Sequence, residues 1–160
     1  MSHTVSSADY QALAEFRYQI RRFLNLAEQG ARAAGLEPQQ YLLLLTLRGL
    51  PDERQATIGN LAERLQVRHH SAVELIDRLA KRGLVRRVRG KQDRRNVLVH
   101  LTPRGDRVLT KLARQRLKEL RGTGPALIRA LDAVVARTRK RAGLRRGARR
   151  GVEVTRGTQQ

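Results

Sequence analysis

The spacing of apolar residues predicts two helices in the first third of the chain. Between Asp9 and Ala34, apolar side chains recur every three or four residues, which is the period of a helix with one apolar face. Gly35 suits the position just past the end of this helix, and Pro38 suits the first turn of the next. Residues 41–45 are a tyrosine and four leucines, apolar on every side, so we expect the second helix to be buried.

Two short helices joined by a tight turn are predicted next. Thr57 is a good capping residue for a third helix, which ends before the turn at residues 66–68. The fourth helix, closed by Gly83, has one apolar side and one polar side. This arrangement is typical of the helix-turn-helix motif of DNA-binding proteins. The apolar side of the fourth helix consists of Ala72, Leu75, Ile76 and Leu79.

The apolar period changes to two after Gly83, which indicates β-strands. Residues 84–89 and 96–101 are rich in β-branched side chains and flank a charged segment, so they predict a hairpin. A hairpin directly after the second helix of such a motif is a wing. A fifth helix begins at Thr102-Pro103, and Gly122-Thr123-Gly124-Pro125 should separate it from a sixth.

The charge of the chain points to a polyanionic partner. The 160 residues carry 34 Lys and Arg against 14 Asp and Glu, a net charge of +20. The excess is concentrated in residues 64–95 and in residues 137–160. Nucleic acid is the partner that such clustering favours. Residues 142–160 contain few apolar side chains, so we expect a basic tail that is disordered until it meets a partner.

Several classes of protein are disfavoured by the composition. Without cysteine the chain can form neither a disulfide nor a thiol-based redox centre, and with no apolar run of about 18 residues we expect a cytoplasmic protein. The neighbouring His69 and His70 point about 100° apart on a helix, and His3 and His100 lie in other elements, so we expect no metal and no cofactor. Because spacing brings no Ser, His and acid together, we expect no enzyme activity.

Three segments at fixed spacing resemble the MarR family of multiple-antibiotic-resistance-type regulators. They are Leu-Ala-Lys-Arg-Gly-Leu-Val at 79–85, Asp-Arg-Arg at 93–95 and Leu-Thr-Pro-Arg-Gly at 101–105. The resemblance covers roughly residues 9–141. It implies a mainly α (α+β) fold, a winged helix-turn-helix with a two-stranded wing at about 57–101, flanked by N- and C-terminal dimerisation helices. It also implies a homodimer on a pseudo-palindromic DNA site, with a cleft for a small molecule.

The fourth helix is the predicted base-contacting element. In such folds its N-terminal residues face base edges in the major groove, where His, Ser and Arg can donate or accept hydrogen bonds. We expect Asp77 and Arg78 to support this contact, with pairing to wing or backbone groups. The alternative is a solvated polar face. The candidates for base contact are Arg68, His69, His70, Ser71, Val73 and Glu74.

The wing tip is the predicted minor-groove contact. A flexible cation fits the negative potential of a narrow minor groove, and Arg94 is the candidate for insertion. Asp93 would orient an arginine, while Lys91 and Arg95 would contact phosphates. An ordinary charged hairpin tip is the alternative.

The terminal helices are expected to form a dimer interface and to contribute to an effector cleft. Their apolar stripes leave surface that a second subunit would cover, although a monomer core is the alternative. In the cleft that the resemblance implies, Arg17, Tyr18 and Tyr41 could meet a small anionic aromatic effector, or they could be packing residues.

The sequence therefore predicts a DNA-binding regulator, and the resemblance implies a ligand-responsive repressor that acts as a homodimer on double-stranded DNA. The alternative is a nucleoid-type or architectural protein that binds nucleic acid without sequence preference. A protein-interaction module is a third interpretation, against which the basic charge of residues 64–95 argues. The ratio of affinities for specific and random DNA at fixed salt separates the first two.

Overall fold

The computed structural model describes the backbone of residues 4–51, 54–89 and 97–154, and side chains as far as residue 139. Within these ranges it contains five helices and one two-stranded antiparallel sheet, which confirms the predicted fold class. No helix in the described part of the chain is long and apolar enough to cross a membrane. The elements are α1 (Ser7–Ala33), α2 (Pro38–Arg48), α3 (Ile58–Leu65), α4 (His69–Lys81), β1 (Val85–Arg89), β2 (Val97–Leu101) and α5 (Pro103–Val154).

Local hydrogen bonds fix both ends of α1 close to their predicted positions. At the start, the Ser6 N–H donates to the Asp9 carboxylate at 2.9 Å, while the Asp9 N–H donates to the Ser6 hydroxyl at 3.3 Å. At the end, Gly35 adopts a φ of 72° and the Leu36 N–H donates to the Ala31 carbonyl at 2.9 Å. This is the glycine-dependent turn that ends many helices.

Two compact units make up the chain. Residues 1–24 and 119–160 form one, here called the terminal unit, and residues 25–118 form the winged unit. The winged unit is larger than the predicted residues 57–101, because its core also takes side chains from the end of α1, from α2 and from the first part of α5. Its core includes Ala31, Leu43, Leu44, Leu61, Ile76, Leu79, Val99, Leu109 and Leu112.

The predicted break between a fifth and a sixth helix is wrong. A single helix, α5, runs through Gly122-Thr123-Gly124-Pro125 without interruption. Proline removes one helical hydrogen bond but does not forbid a helix. Gly122 and Gly124 are poor helix formers, but the sequences on both sides of this segment are rich in Leu, Ala, Arg and Lys, which favour a helix. The Thr123 hydroxyl remains within the helix and donates to the Glu119 carbonyl at 3.0 Å.

The backbone of α5 also continues beyond residue 141, where the sequence predicted disorder to begin. It is helical as far as Val154, whereas the sequence predicts a tail that becomes ordered only when it meets a partner. Residues 142–154 contain four Arg and two Ala, which favour a helix, and three Gly, which oppose it. Residues 155–160 of the predicted tail lie outside the described residues.

Burial of α2 is also less complete than predicted. Leu43 and Leu44 are fully buried, but Leu42 and Leu45 are 39% and 40% exposed. These two leucines are three residues apart and share one side of the helix. The run of four leucines therefore serves the core on one side and leaves apolar surface on the other.

Candidate nucleic-acid interface

Local hydrogen bonds fix both ends of α3 and the short turn that leads into α4. The Thr57 hydroxyl caps α3 by accepting the Asn60 N–H at 3.2 Å, as predicted. At the other end Gln66 adopts a left-handed conformation with φ 55°, and the Val67 N–H donates to the Ala62 carbonyl at 3.0 Å. Because this turn is so short, α4 begins immediately after it. The predicted helix-turn-helix is therefore confirmed in its geometry.

One side of α4 packs in the core and the other faces solvent. Ala72, Leu75, Ile76 and Leu79 are each no more than 4% exposed, which confirms the predicted apolar side. The predicted DNA contacts lie at the opposite side or at the N-terminal end of the helix. Ser71 and Val73 are half-buried, and the exposed members of the set are Arg68, His69, His70, Glu74 and Arg78. Their contact with bases stays a prediction.

The wing strands are fixed to the chain that precedes α3. In the sheet Arg86 lies opposite His100 and Arg87 opposite Val99. The Val99 N–H donates to the Ala56 carbonyl at 2.9 Å, and Thr57 forms a bridge with Leu98. The wing and the helix-turn-helix therefore share one hydrogen-bonded framework. The predicted tip residues Lys91, Asp93, Arg94 and Arg95 lie outside the described residues.

An ion pair joins α4 to the first wing strand. The Arg87 guanidinium lies 2.9 Å from the Asp77 carboxylate and also donates to the Val73 carbonyl at 3.4 Å. The predicted pairing of Asp77 with a wing group is thereby confirmed. Sequence reasoning did not identify Arg87 as the partner. The available signal was its place opposite the buried Val99, which puts it on the core-facing side of the sheet.

The start of α5 packs unusually close to the end of α4. A Cβ atom added at Gly105 would overlap the backbone carbonyl of Leu84. The Thr102 hydroxyl donates to the Gly83 carbonyl at 2.7 Å and accepts the Gly105 N–H at 3.0 Å. The Leu-Thr-x-x-Gly pattern therefore has a physical cause: threonine links the two segments and glycine permits their approach.

A second contact holds the C-terminal end of α4. The Arg82 guanidinium donates to the Gln40 side-chain oxygen at 2.9 Å, and the same oxygen accepts the Glu37 N–H at 3.1 Å. Gln40 is 5% exposed, so this link between α4 and α2 is largely shielded from water. No apolar period or capping pattern could have identified it, because the two residues are distant in sequence.

The predicted effector residues occupy different units. Arg17 and Tyr18 lie exposed on α1 in the terminal unit, with Tyr18 58% exposed. Tyr41 packs in the core of the winged unit and is 9% exposed. Their contact with an effector stays a prediction. The winged unit also holds an open cavity of about 540 Å³, lined by none of these three and bordered by Arg48, Arg86, His100 and Asp106.

The side chains that could bind a metal do not cluster in the described part of the chain. They contain no group of three or more His, Cys, Asp or Glu side chains placed to hold a metal ion. His69 and His70 are both exposed at the start of α4.

Comparison with known proteins decides the family. A model described as MarR family matches residues 34–96. An uncharacterized HTH-type transcriptional regulator, YsmB of Bacillus subtilis (strain 168), is 30% identical over 121 residues, which are 73% of this chain and 81% of that protein. The chain belongs to the MarR family. This MarR protein is thus a DNA-binding transcription regulator of the winged helix-turn-helix type, as the sequence predicted.

Solved structures share the fold of this MarR protein. AbsC, a MarR family transcriptional regulator from Streptomyces coelicolor, has a TM-score of 0.69 at 20% identity, over 91% of this chain and 99% of that one. A mutant of MarR from E. coli, complexed with operator DNA, has a TM-score of 0.59 at 20% identity, over 76% and 89% of the two chains. At these identities the likeness concerns the fold.

Proposed function

We propose that this protein is a ligand-responsive repressor that binds a pseudo-palindromic operator as a homodimer. The observation that carries the proposal is the N-terminal end of α4, where polar side chains stand exposed on a helix whose other side is packed in the core. Such a helix can enter a major groove with its exposed side while its buried side stays packed in the protein core. The E. coli relative that was solved with operator DNA has the same fold, which agrees with double-stranded DNA as the partner. We therefore also propose a cytoplasmic location, which is consistent with a DNA partner.

Exposed apolar side chains of the terminal unit support a homodimer. Tyr10 and Ile128 are 63% and 61% exposed, and Leu13, Leu24 and Leu131 are each more than 40% exposed. Such side chains along two helices leave apolar surface that a second copy would cover. A symmetric dimer presents two α4 helices, which is the arrangement that a two-fold symmetric operator requires.

Selection of bound sequences from random duplex DNA provides the operator, and two variants then test the role of α4. We expect His70→Ala and Ser71→Ala each to weaken operator binding by about 1–3 kcal/mol, with little effect on random DNA. His100→Ala, an exposed histidine on β2, is the matched control. Equal losses on operator and random duplex would show that α4 contacts phosphates, and the base-contact assignment would then fail.

The proposed minor-groove contact of the wing tip is tested by varying the sequences that flank the operator. We propose that Arg94 enters the minor groove, that Asp93 orients an arginine, and that Lys91 and Arg95 contact phosphates. Arg94→Ala should then weaken binding mainly where the flanks are rich in A·T pairs and the minor groove is narrow. An unchanged preference among flanking sequences would count against insertion.

A small anionic aromatic effector is the proposed ligand, with Arg17, Tyr18 and Tyr41 as candidate contacts. Binding of salicylate or benzoate should release the operator, because a ligand shifts an equilibrium only when it prefers one state. Arg17→Gln should lower the affinity for such a compound and leave operator binding unchanged. If no aromatic carboxylate changes operator affinity, this part of the proposal is wrong and the DNA-binding part stands.

The net charge of +20 favours a second candidate function. A nucleoid-type protein would use this charge to bind DNA without sequence preference. The two functions differ in the ratio of operator to random affinity at one salt concentration. A ratio of about 10³ or more supports the repressor, and a ratio near one supports the architectural protein.

A further inference from the structure

A line of five cations runs along α5 in the winged unit. Arg104, Arg107, Lys111, Arg114 and Lys118 are spaced by three and four residues, so they lie along one side of the helix. All five are exposed. The opposite side of the same helix, which includes Leu109 and Leu112, packs in the core. We call these five residues the α5 basic stripe.

The stripe is not neutralised by its own helix. No residue three or four positions away from any of the five, within α5, is acidic. Among the described residues, none of the five belongs to an ion pair. Some exposed arginines outside the stripe do form ion pairs, as Arg32 does with Glu28 and Arg54 with Glu63.

Such a row of like charges repels itself. Like charges at these spacings destabilise a helix, and the cost falls when a polyanion binds. The five cations extend over about 21 Å of helix, a length along which one DNA strand carries about six phosphates. Because the stripe has no aromatic side chain, it suits phosphates rather than bases.

The stripe begins away from the proposed base-contacting end of α4. Gly105, at the start of α5, packs against Leu84, which follows the C-terminal end of α4. His69 lies at the other end of that helix, about 18 Å away along its axis. The stripe therefore starts near the end of α4 that lies away from the proposed base contacts, and we infer that it serves a separate partner.

We propose that the α5 basic stripe binds the phosphate backbone of a second DNA duplex, so that the protein holds two duplexes together. The inference rests on the operator-binding function for its first duplex only. The second duplex is bound without sequence preference, through charge alone. An acidic protein is the competing occupant.

The test is capture of a second duplex by protein already bound to an operator. A selected operator duplex is fixed to beads, protein is added, and retention of a labelled random duplex is measured at several salt concentrations. The stripe variant combines Arg107→Gln, Lys111→Gln and Arg114→Gln. The matched control removes the same charge from three exposed arginines outside the stripe, with Arg21→Gln, Arg129→Gln and Arg139→Gln.

We expect the stripe variant to bind operator as the wild type does and to capture at least about tenfold less random duplex. Its salt slope should be smaller by roughly 0.9 for each phosphate that the variant no longer neutralises. The control should capture normally. If the triple variant does not fold, the single change Lys111→Glu gives the same comparison.

Four outcomes would overturn the proposal. They are no capture by the wild type, normal capture by the stripe variant, an equal loss in the control, and a parallel loss of operator affinity, which would assign the stripe to the operator's own flanks. If selection yields no operator, the repressor proposal fails by itself. Capture between two random duplexes then still tests the stripe.

Discussion

The Arg87 guanidinium on β1 lies 2.9 Å from the Asp77 carboxylate on α4, and this pair joins the first wing strand to the helix that we propose contacts bases. Because the side chains are 36% and 46% exposed, solvent screens the pair and its loss should cost less than about 1 kcal/mol of stability. We expect the larger effect in DNA binding, where Asp77→Asn and Arg87→Gln should show a coupling of about 0.5–1 kcal/mol, or two- to fivefold in affinity. A double-mutant cycle on operator binding measures it.

The matched control for this pair is Arg54 with Glu63, an exposed ion pair 3.5 Å long in the same unit. Glu63→Gln should leave operator affinity unchanged. Purely additive effects of the Asp77 and Arg87 changes would show that the contact does not position the wing.

The close approach of Gly105 to Leu84 predicts a large loss of stability in Gly105→Ala. The added methyl group would overlap a backbone carbonyl, which cannot rotate aside as a side chain can. We expect a cost of about 3 kcal/mol, measured by urea unfolding. Gly122→Ala is the control, because a Cβ there meets no atom within 4 Å, and it should stabilise the same helix by about 0.5–1 kcal/mol. Equal effects at the two positions would refute the packing argument.

At Gln66, a change to glycine should raise the free energy of unfolding, in contrast to the loss expected for Gly105→Ala. Its φ of 55° lies in the left-handed region, where a side chain costs about 1–2 kcal/mol and glycine does not. Gln66→Gly should therefore raise the free energy of unfolding by about 0.5 kcal/mol, after the extra freedom of glycine in the unfolded chain is counted. Gln66→Val should lower it by more than about 1 kcal/mol, because a β-branched residue fits this region poorly. Thermal unfolding of the three proteins ranks them.

Leu131 tests the homodimer. It is 44% exposed within the single chain, so Leu131→Asp should leave each subunit folded. The substitution should instead weaken association, because it places an unpaired charge in the proposed dimer interface of the terminal unit. Light scattering should report a monomer, and operator affinity should fall because only one half-site is contacted. Thr110→Asp, at an exposed position of α5 in the winged unit, is the control. A Leu131→Asp dimer with normal operator binding would contradict the assignment of Leu131 to the dimer interface.

Periodicity and local hydrogen-bonding chemistry explain which features the sequence could predict. Thr57 and Gly35 mark helix ends through contacts with residues close in the chain, so their roles are visible in a short window. The buried side of α4 follows in the same way from spacing alone. The exposure of the histidines at the start of α4 follows from the same spacing, because the residues that form the buried side determine which ones face solvent.

Contacts between distant segments explain what the sequence could not provide. Arg82 and Gln40 meet only because α4 and α2 pack together, and Gly105 is needed only because α5 begins beside Leu84. The predicted break at Pro125 was wrong because only the local preference of this segment against a helix was considered. The long helix-forming sequences on both sides of it outweigh that preference. Leu42 and Leu45 were expected to be buried because composition does not reveal which sides of a helix have partners.

The hydrogen bond between Arg82 and Gln40 also bears on the thermodynamics of operator binding. With its C-terminal end joined to α2 and its middle joined to β1, α4 is ordered before any DNA is present. Association then does not include the conformational entropy of folding a helix, which would otherwise weaken binding. Calorimetry should accordingly show a heat-capacity change that reflects the surface buried against DNA, without the larger contribution of coupled folding.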